Sequence, residues 1–172
     1  DRFFYPLMHG GKVCERLDKS IRLELCALAE RLSEDFLHMT TAHFALLEGA
    51  EDLIRYLAAK YPLTVVTNGF VEVQYEKFEK SGLKDSFAHI VLSEEVGCQK
   101  PNPRIFEEAL RMNGLDASEV VMIGDSFSSD IAGANAVGID TIWLAQPDNI
   151  TDEQSKVATY IVTSLQEIKQ IL

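Results

Sequence analysis

The chain has 172 residues, 47% of them hydrophobic and 25% charged, a balance that suits one sizeable core with a small appendage. Its formal net charge of −11, with no Lys/Arg cluster, excludes an extended nucleic-acid surface. No apolar run approaches the roughly 20 residues that span a bilayer. Neither nucleic acid nor membrane is therefore an expected partner.

The charge is uneven along the chain. Residues 1–44 carry six basic and seven acidic side chains, whereas residues 45–172 carry ten and twenty. That shift predicts two domains: a small helical one over 1–44 and an α/β one over 45–172. The three cysteines, Cys14, Cys26 and Cys98, show no CxxC spacing, so neither a disulfide framework nor a thiolate zinc site is expected. A reduced, cytoplasmic setting follows as an expectation. The opening, "DRFFYPLMHGG", reads as the continuation of an upstream segment.

Within 1–44, "RLELCALAERLSEDFL" (22–37) places Leu25, Leu28, Ala29, Leu32 and Phe36 along one helical face. Met39, His43 and Phe44 read as packing and hinge, and neither His9 nor His89 has a partner at metal-binding spacing. From residue 49 onward, helical and strand patterns alternate. "GAEDLIRYLAAKY" (49–61) is amphipathic through Leu53, Ile54, Leu57 and Ala58, and "LTVVT" (63–67) is a β-branched run closed by Asn68-Gly69. "VEVQYEKFEKSG" (71–82) is helical, "HIVLS" (89–93) a strand, and "NPRIFEEALRMNG" (102–114) a helix with Pro103 early and Gly114 at its end. "VVMIG" (120–124) is a strand and "SSDIAGANAVG" (128–138) a helix of small residues. "IDTIWLA" (139–145) and "TYIVTS" (159–164) are strands, and "SLQEIKQIL" (164–172) is a final helix. Continuously apolar strands separated by helices predict a Rossmann-like parallel sheet covered on both faces.

In such sheets ligands gather beyond the carboxyl ends of the strands. Those ends supply Thr67-Asn68-Gly69, then Lys100 in "GCQKPNPRIF", then Asp125 and Asp130 in "GDSFSSD". The set suits phosphoryl chemistry. The Thr67 hydroxyl and the backbone N–H groups around Asn68 and Gly69 are short phosphate donors. Lys100 offers a point charge where negative charge develops. Asp125 is placed to ligate a hard divalent cation, and Asp130 to accept from the metal's water or from Lys100. Singly, each has a plainer reading: Asn68-Gly69 as a turn, Lys100 as a solvated lysine, and both aspartates as caps. Read as an acidic pair, Asp125 and Asp130 predict that neutralising either leaves folding unharmed.

The ordered stretches "LTVVTNG", "GCQKPNPRIFEEAL" and "VVMIGDSFSSDIAGANAVGI" resemble the haloacid dehalogenase-like hydrolase superfamily, mostly magnesium-dependent phosphatases, over residues 48–172. The resemblance implies that Thr67 binds phosphate and Asn68 shapes its loop. It also implies that Lys100 steadies nucleophile and phosphoryl group, that Asp125 ligates Mg2+, and that Asp130 supports the metal site. Residues 1–44 resemble the tail of a helical cap inserted after the first core strand, and "RFFYPL" with "AERLSEDF" resembles the nucleotidase-like group. The implied substrate is a small phosphorylated metabolite, a nucleoside 5'-monophosphate among the options, hydrolysed through an aspartyl-phosphate.

One departure is large. The family's Asp-x-Asp-x-Thr/Ser stretch, which supplies nucleophile and acid/base from the first core strand, occurs nowhere in residues 1–172; Asp1, Asp18 and Asp35 follow no apolar strand. A first strand and nucleophile upstream are therefore expected. A non-catalytic homologue or fragment and a dehalogenase remain the alternatives. A phosphomutase would need a cap that is not identifiable here. A response-regulator receiver has the acids before its Thr/Ser and Lys, and no GxGxxG or GxxxxGK[ST] supports a nucleotide-binding module. Nothing in the sequence chooses between monomer and homodimer.

Overall fold

The computed structural model describes residues 19–42, 45–147 and 150–172. The expectations for His9, Cys14, His43, Phe44 and the "RFFYPL" stretch lie outside those residues. The chain divides into two compact units between Phe44 and Ala45.

In the first unit, α1 spans Lys19–Ala42, 24 residues and thus about 36 Å. Ala29 is buried and Leu25 half-buried, but Leu28 and Leu32 are 50% and 44% exposed. The helical periodicity is present; the burial expected of its apolar face is only partial. A helix covers its stripe only where another element lies against it. The side chain of Phe36 lies outside the described residues.

In the second unit, α2 (Ala50–Ala58) starts after Gly49, whose φ of 80° is left-handed and suits glycine. Leu53 and Leu57, one turn apart, bury the same stripe. Strand β1 (Thr64–Thr67) leads to α3 (Val71–Ser81), and β2 (His89–Leu92) leads to a short α4 (Ser93–Val96). Ser93 therefore opens a helical turn instead of closing the strand. Helix α5 (Pro103–Asn113) is bounded as its sequence signals require. The Asn102 side chain accepts from the Arg104 amide, Pro103 occupies the first turn, and Gly114 caps the end at φ 65°. Strand β3 (Val121–Gly124) is followed by a single π turn, Phe127–Ile131, and only then by α6 (Ala132–Ala136). The small-residue helix expected over 128–138 is thus shorter and begins with a wider turn. Strands β4 (Asp140–Leu144) and β5 (Tyr160–Val162) precede α7 (Leu165–Ile171). A capping box of Ser164 with Glu167 starts α7.

All strand pairs among the described residues are parallel. Side chains alternate across a strand, so neighbours in sequence report on opposite faces. Ile142 packs with Leu53, Leu57, Val162 and Ile168, whereas the adjacent Trp143 packs with Ile131 and Ala145. Both faces of β4 are covered, as a parallel sheet requires.

The strands form two sheets among the described residues, β1-β2 and β3-β4-β5. Strands β1 and β3 each have a hydrogen-bonded neighbour on one side. Their residues are half-buried at all four positions, while Thr141, Ile142 and Trp143 of β4 are buried. The Ala88 amide donates to the Leu63 carbonyl, which turns the backbone of residues 63, 65 and 67 toward β2. The polar backbone groups of Thr64 and Val66 consequently face the other way.

Candidate functional site

The carboxyl ends of β1 and β3 carry most of the polar residues singled out by sequence. Thr67 is the last residue of β1, half-buried and in register with Leu92. Gly69 leaves space that a Cβ would deny, since that atom would stand 2.1 Å from the Gln74 amide nitrogen. The next residue, Phe70, precedes α3, and the Val71 amide donates to the Glu94 carboxylate at 3.0 Å.

Lys100 lies between the two strand ends and is held at both of its own ends. The Asn68 side-chain amide grips its backbone: Lys100 N–H donates to Asn68 Oδ1 at 2.7 Å, and Asn68 Nδ2 donates to the Lys100 carbonyl at 3.1 Å. The ammonium donates to the Val66 carbonyl at 2.8 Å and pairs with Asp130 Oδ1 at 2.7 Å. Val66 presents that carbonyl on the side of β1 away from β2. The Lys100-Pro101 peptide is cis.

Asp130 is 4% exposed. A carboxylate taken that far from water needs a cation and hydrogen bonds. It has Lys100, the Ser129 hydroxyl donating at 3.1 Å to Oδ1, and the Ser126 amide donating at 3.2 Å to Oδ2. The π turn brings Asp130 back over the strand end, with its amide and that of Ile131 both reaching the Ser126 carbonyl. Gly124 makes the approach possible. A Cβ there would lie 2.5 Å from Asp130 Cβ and 2.7 Å from Oδ2. Gly133 does the same one layer out, against Phe106 and the Pro101 backbone.

Asp125 stands apart from this network. Its side chain is exposed, and its backbone carbonyl is fixed by the Trp143 indole N–H at 3.1 Å. The Phe127 ring packs on Trp143 with centroids 5.0 Å apart. Asp125 is therefore an anchored carboxylate with free oxygens, whereas those of Asp130 are engaged. Asp130 is the counter-ion of Lys100. The described residues hold no group of three or more His, Cys, Asp or Glu at metal-binding distances. A hard divalent cation takes about six oxygens, so Asp125 suits one ligand position and the others need further donors.

Ser126, Ser129, Trp143, Glu94 and the Val66 carbonyl were not singled out by sequence. The Ser126–Ser129 spacing is a capping signal, realised as the Ser129 amide donating to the Ser126 hydroxyl. Nothing local marks the others, because their partners are distant in sequence.

Residues 11–144 match the model of the haloacid dehalogenase-like hydrolase family. The chain is 37% identical over 148 residues to the pyrimidine 5'-nucleotidase YjjG of Escherichia coli, covering 83% of this chain and 63% of that protein. The structure of YfnB from Bacillus subtilis, solved bound to magnesium, matches with a TM-score of 0.75 and 32% identity over 86% of this chain and 63% of that one. A 2-haloacid dehalogenase from Pseudomonas syringae matches with a TM-score of 0.76 and 30% identity over 91% and 64%. The chain thus spans less than two thirds of each of these relatives. With its parallel sheets, its flanking helices and this match along most of its length, the chain belongs to the haloacid dehalogenase-like hydrolases.

Proposed function

We propose that this chain is the metal- and phosphate-binding part of a magnesium-dependent phosphomonoesterase. The observation that carries the reading is Lys100, tethered across the ends of β1 and β3 by Val66 and Asp130 with one ammonium N–H left over. A lysine fixed at that edge, beside the Thr67 hydroxyl and the anchored Asp125 carboxylate, suits a transferring phosphoryl group better than a neutral substrate.

The nucleophile comes, in this reading, from a strand between β1 and β3 that carries Asp-x-Asp at its end. Two features support it: the absence of that stretch in residues 1–172, and the half-buried residues of β1 and β3, which have, among the described residues, no strand on their second side. The first Asp attacks phosphorus as the ester oxygen leaves. The second protonates that oxygen, then takes a proton from the water that cleaves the aspartyl-phosphate. Thr67 and the amides of Asn68 and Gly69 bind the non-bridging oxygens. The third N–H of Lys100 faces the charge that develops. Asp125 would hold a magnesium ion together with oxygens from the added strand, and the ion, when bound, neutralises phosphoryl charge. Asp130 keeps Lys100 in place.

Residues 1–44 are the tail of a cap inserted after the first strand, a reading supported by the long α1 with its exposed leucines. Similarity to a pyrimidine 5'-nucleotidase supports a nucleoside 5'-monophosphate as substrate. Similarity to a 2-haloacid dehalogenase keeps halide displacement as the second reading. Phosphate release by the longer protein from a panel of phosphate esters, with magnesium and with excess chelator, tests the proposal. Release that magnesium supports and chelator abolishes is expected. Halide release from 2-haloacids without phosphate release would transfer the chain to the second reading.

A further inference from the structure

We infer that the Asn68 side chain positions Lys100 and is not itself a phosphate ligand, an inference that rests on the phosphatase reading. A side-chain amide has one carbonyl oxygen and one NH2 group. In Asn68 the oxygen accepts from the Lys100 amide at 2.7 Å and the nitrogen donates to the Lys100 carbonyl at 3.1 Å. This two-point grip spans 32 residues of sequence. It joins the end of β1 to the loop that precedes α5, and it uses both polar ends of the side chain. Turning Asn68 toward a phosphate would break at least one of the two bonds.

The grip also completes the fixation of Lys100. The ammonium is held by the Val66 carbonyl and Asp130, and the Asn68 grip holds the backbone at the other end of the same side chain. Fixed at both ends, Lys100 keeps its remaining N–H aimed in one direction. Reaction rates fall steeply with small displacements of a catalytic group, so loosening the grip acts on turnover more than on binding. Phosphate contact at this loop is left to the Thr67 hydroxyl and the backbone amides of Asn68 and Gly69.

The test uses the longer protein, its Asn68→Ala and Asn68→Asp variants, and the same changes in a Lys100→Met background. Thermal melts report folding; if Lys100→Met does not fold, Lys100→Arg takes its place. Asn68→Asp keeps the acceptor for the Lys100 amide and loses the donor to the Lys100 carbonyl; should Asn68→Ala fail to fold, it stands in through kcat in the two backgrounds and through hydrogen exchange, since its added charge alone would weaken phosphate inhibition. Expected for Asn68→Ala are a kcat lower by about 10–100-fold and a KM within about threefold of wild type. Inhibition by inorganic phosphate should be unchanged. In the Lys100 background the Asn68 change should add less than about threefold, because two residues that act as one unit are not additive. Weakened phosphate inhibition with additive losses would overturn the inference and make Asn68 a direct ligand. Hydrogen exchange at the Lys100 amide supplies a readout that needs no turnover. It should quicken at least tenfold in Asn68→Ala, and an unchanged rate would remove the grip itself. If the wild-type protein hydrolyses no phosphate ester, the phosphatase reading fails while the exchange measurement still decides the role of Asn68.

Discussion

Strands β1 and β4 each combine adjacent apolar residues with threonine in sequence, yet they sit differently. β4 has β3 on one side and β5 on the other, and its central residues are buried. Among the described residues β1 has only β2, and all four of its residues are half-buried; β3, on the near edge of the other sheet, behaves the same way. An apolar run with no alternation is the mark of a strand covered on both faces in the interior of a sheet. The contrast therefore teaches that β1 and β3 are interior strands by composition and edge strands by pairing. A strand laid between them would reconcile the two. The Lys100 side chain already joins the ends of both, through the Val66 carbonyl and Asp130.

Supplying that strand should produce the largest effect. The 172-residue chain alone is expected to release phosphate from esters at background. The longer protein should turn over at least about 10^4-fold faster, the scale on which removing a nucleophile acts. Equal rates for the two would remove the need for a strand between β1 and β3.

Removing the Lys100 bridge comes next. Lys100→Met leaves the Asp130 carboxylate buried without its cation, a change that typically costs about 3–5 kcal/mol in a urea melt. Asp130→Asn leaves the Lys100 ammonium without its carboxylate but still bonded to the Val66 carbonyl, so it should cost less. A Lys100→Met melt that coincides with wild type would mean that the pair does not hold the two strand ends.

A smaller effect separates the glycines at the ends of β1 and β3. Gly124→Ala drives a Cβ against the Asp130 side chain, whose atoms are fixed by Lys100, Ser126 and Ser129, so a loss of about 1–3 kcal/mol is expected. Gly69→Ala meets the far end of Gln74, a flexible side chain that can swing aside, and should cost under about 1 kcal/mol. Reversal of that order would show the β3 end to be the more pliant.

Much of this was legible in sequence for reasons that can be named. Alternating apolar runs and helical stripes reveal β1 to β5 and α2, α3, α5 and α7, and Asn102, Pro103 and Gly114 mark both ends of α5. The order Thr67, Lys100, Asp125 is equally plain, because each follows its own strand or loop. What escaped depends on tertiary contact. The short α4 has too few residues for periodicity. The π turn contains Asp130, which pairs with a lysine thirty residues away, while Asp125 is exposed, so two aspartates close in sequence have opposite surroundings. The expectation that neutralising Asp130 leaves folding unharmed takes no account of that ion pair, and with the pair in view a loss of stability is predicted instead. Asn68-Gly69 carries the local signature of a turn, and its grip on Lys100 leaves no trace in the intervening sequence.

The smallest expected effect lies at the far edge of the three-stranded sheet. The Ser164 and Thr163 hydroxyls and the Thr163 and Ser164 amides all donate to Glu167, holding its carboxyl below the ordinary carboxylate pKa. A depressed folded-state pKa contributes stability that is present above the unfolded value and lost as pH falls through the folded one. Glu167→Gln should therefore flatten the acid limb of stability below the ordinary carboxylate range and leave activity at neutral pH unchanged. An acid limb identical to wild type would remove Glu167 from the acid response.

Magnesium titration of phosphate release by the longer protein, wild type against Asp125→Asn, bears most directly on the site at the end of β3. The Trp143 indole anchors the Asp125 backbone and leaves its carboxylate exposed, so the substitution removes one anionic oxygen and little else. The expected result is a magnesium requirement raised at least about tenfold and a rate lower by about 100-fold or more at saturating metal, with an unchanged melting temperature. A titration curve that overlays the wild type would contradict the assignment of Asp125 as the metal's ligand, and with it the phosphatase reading built on that site.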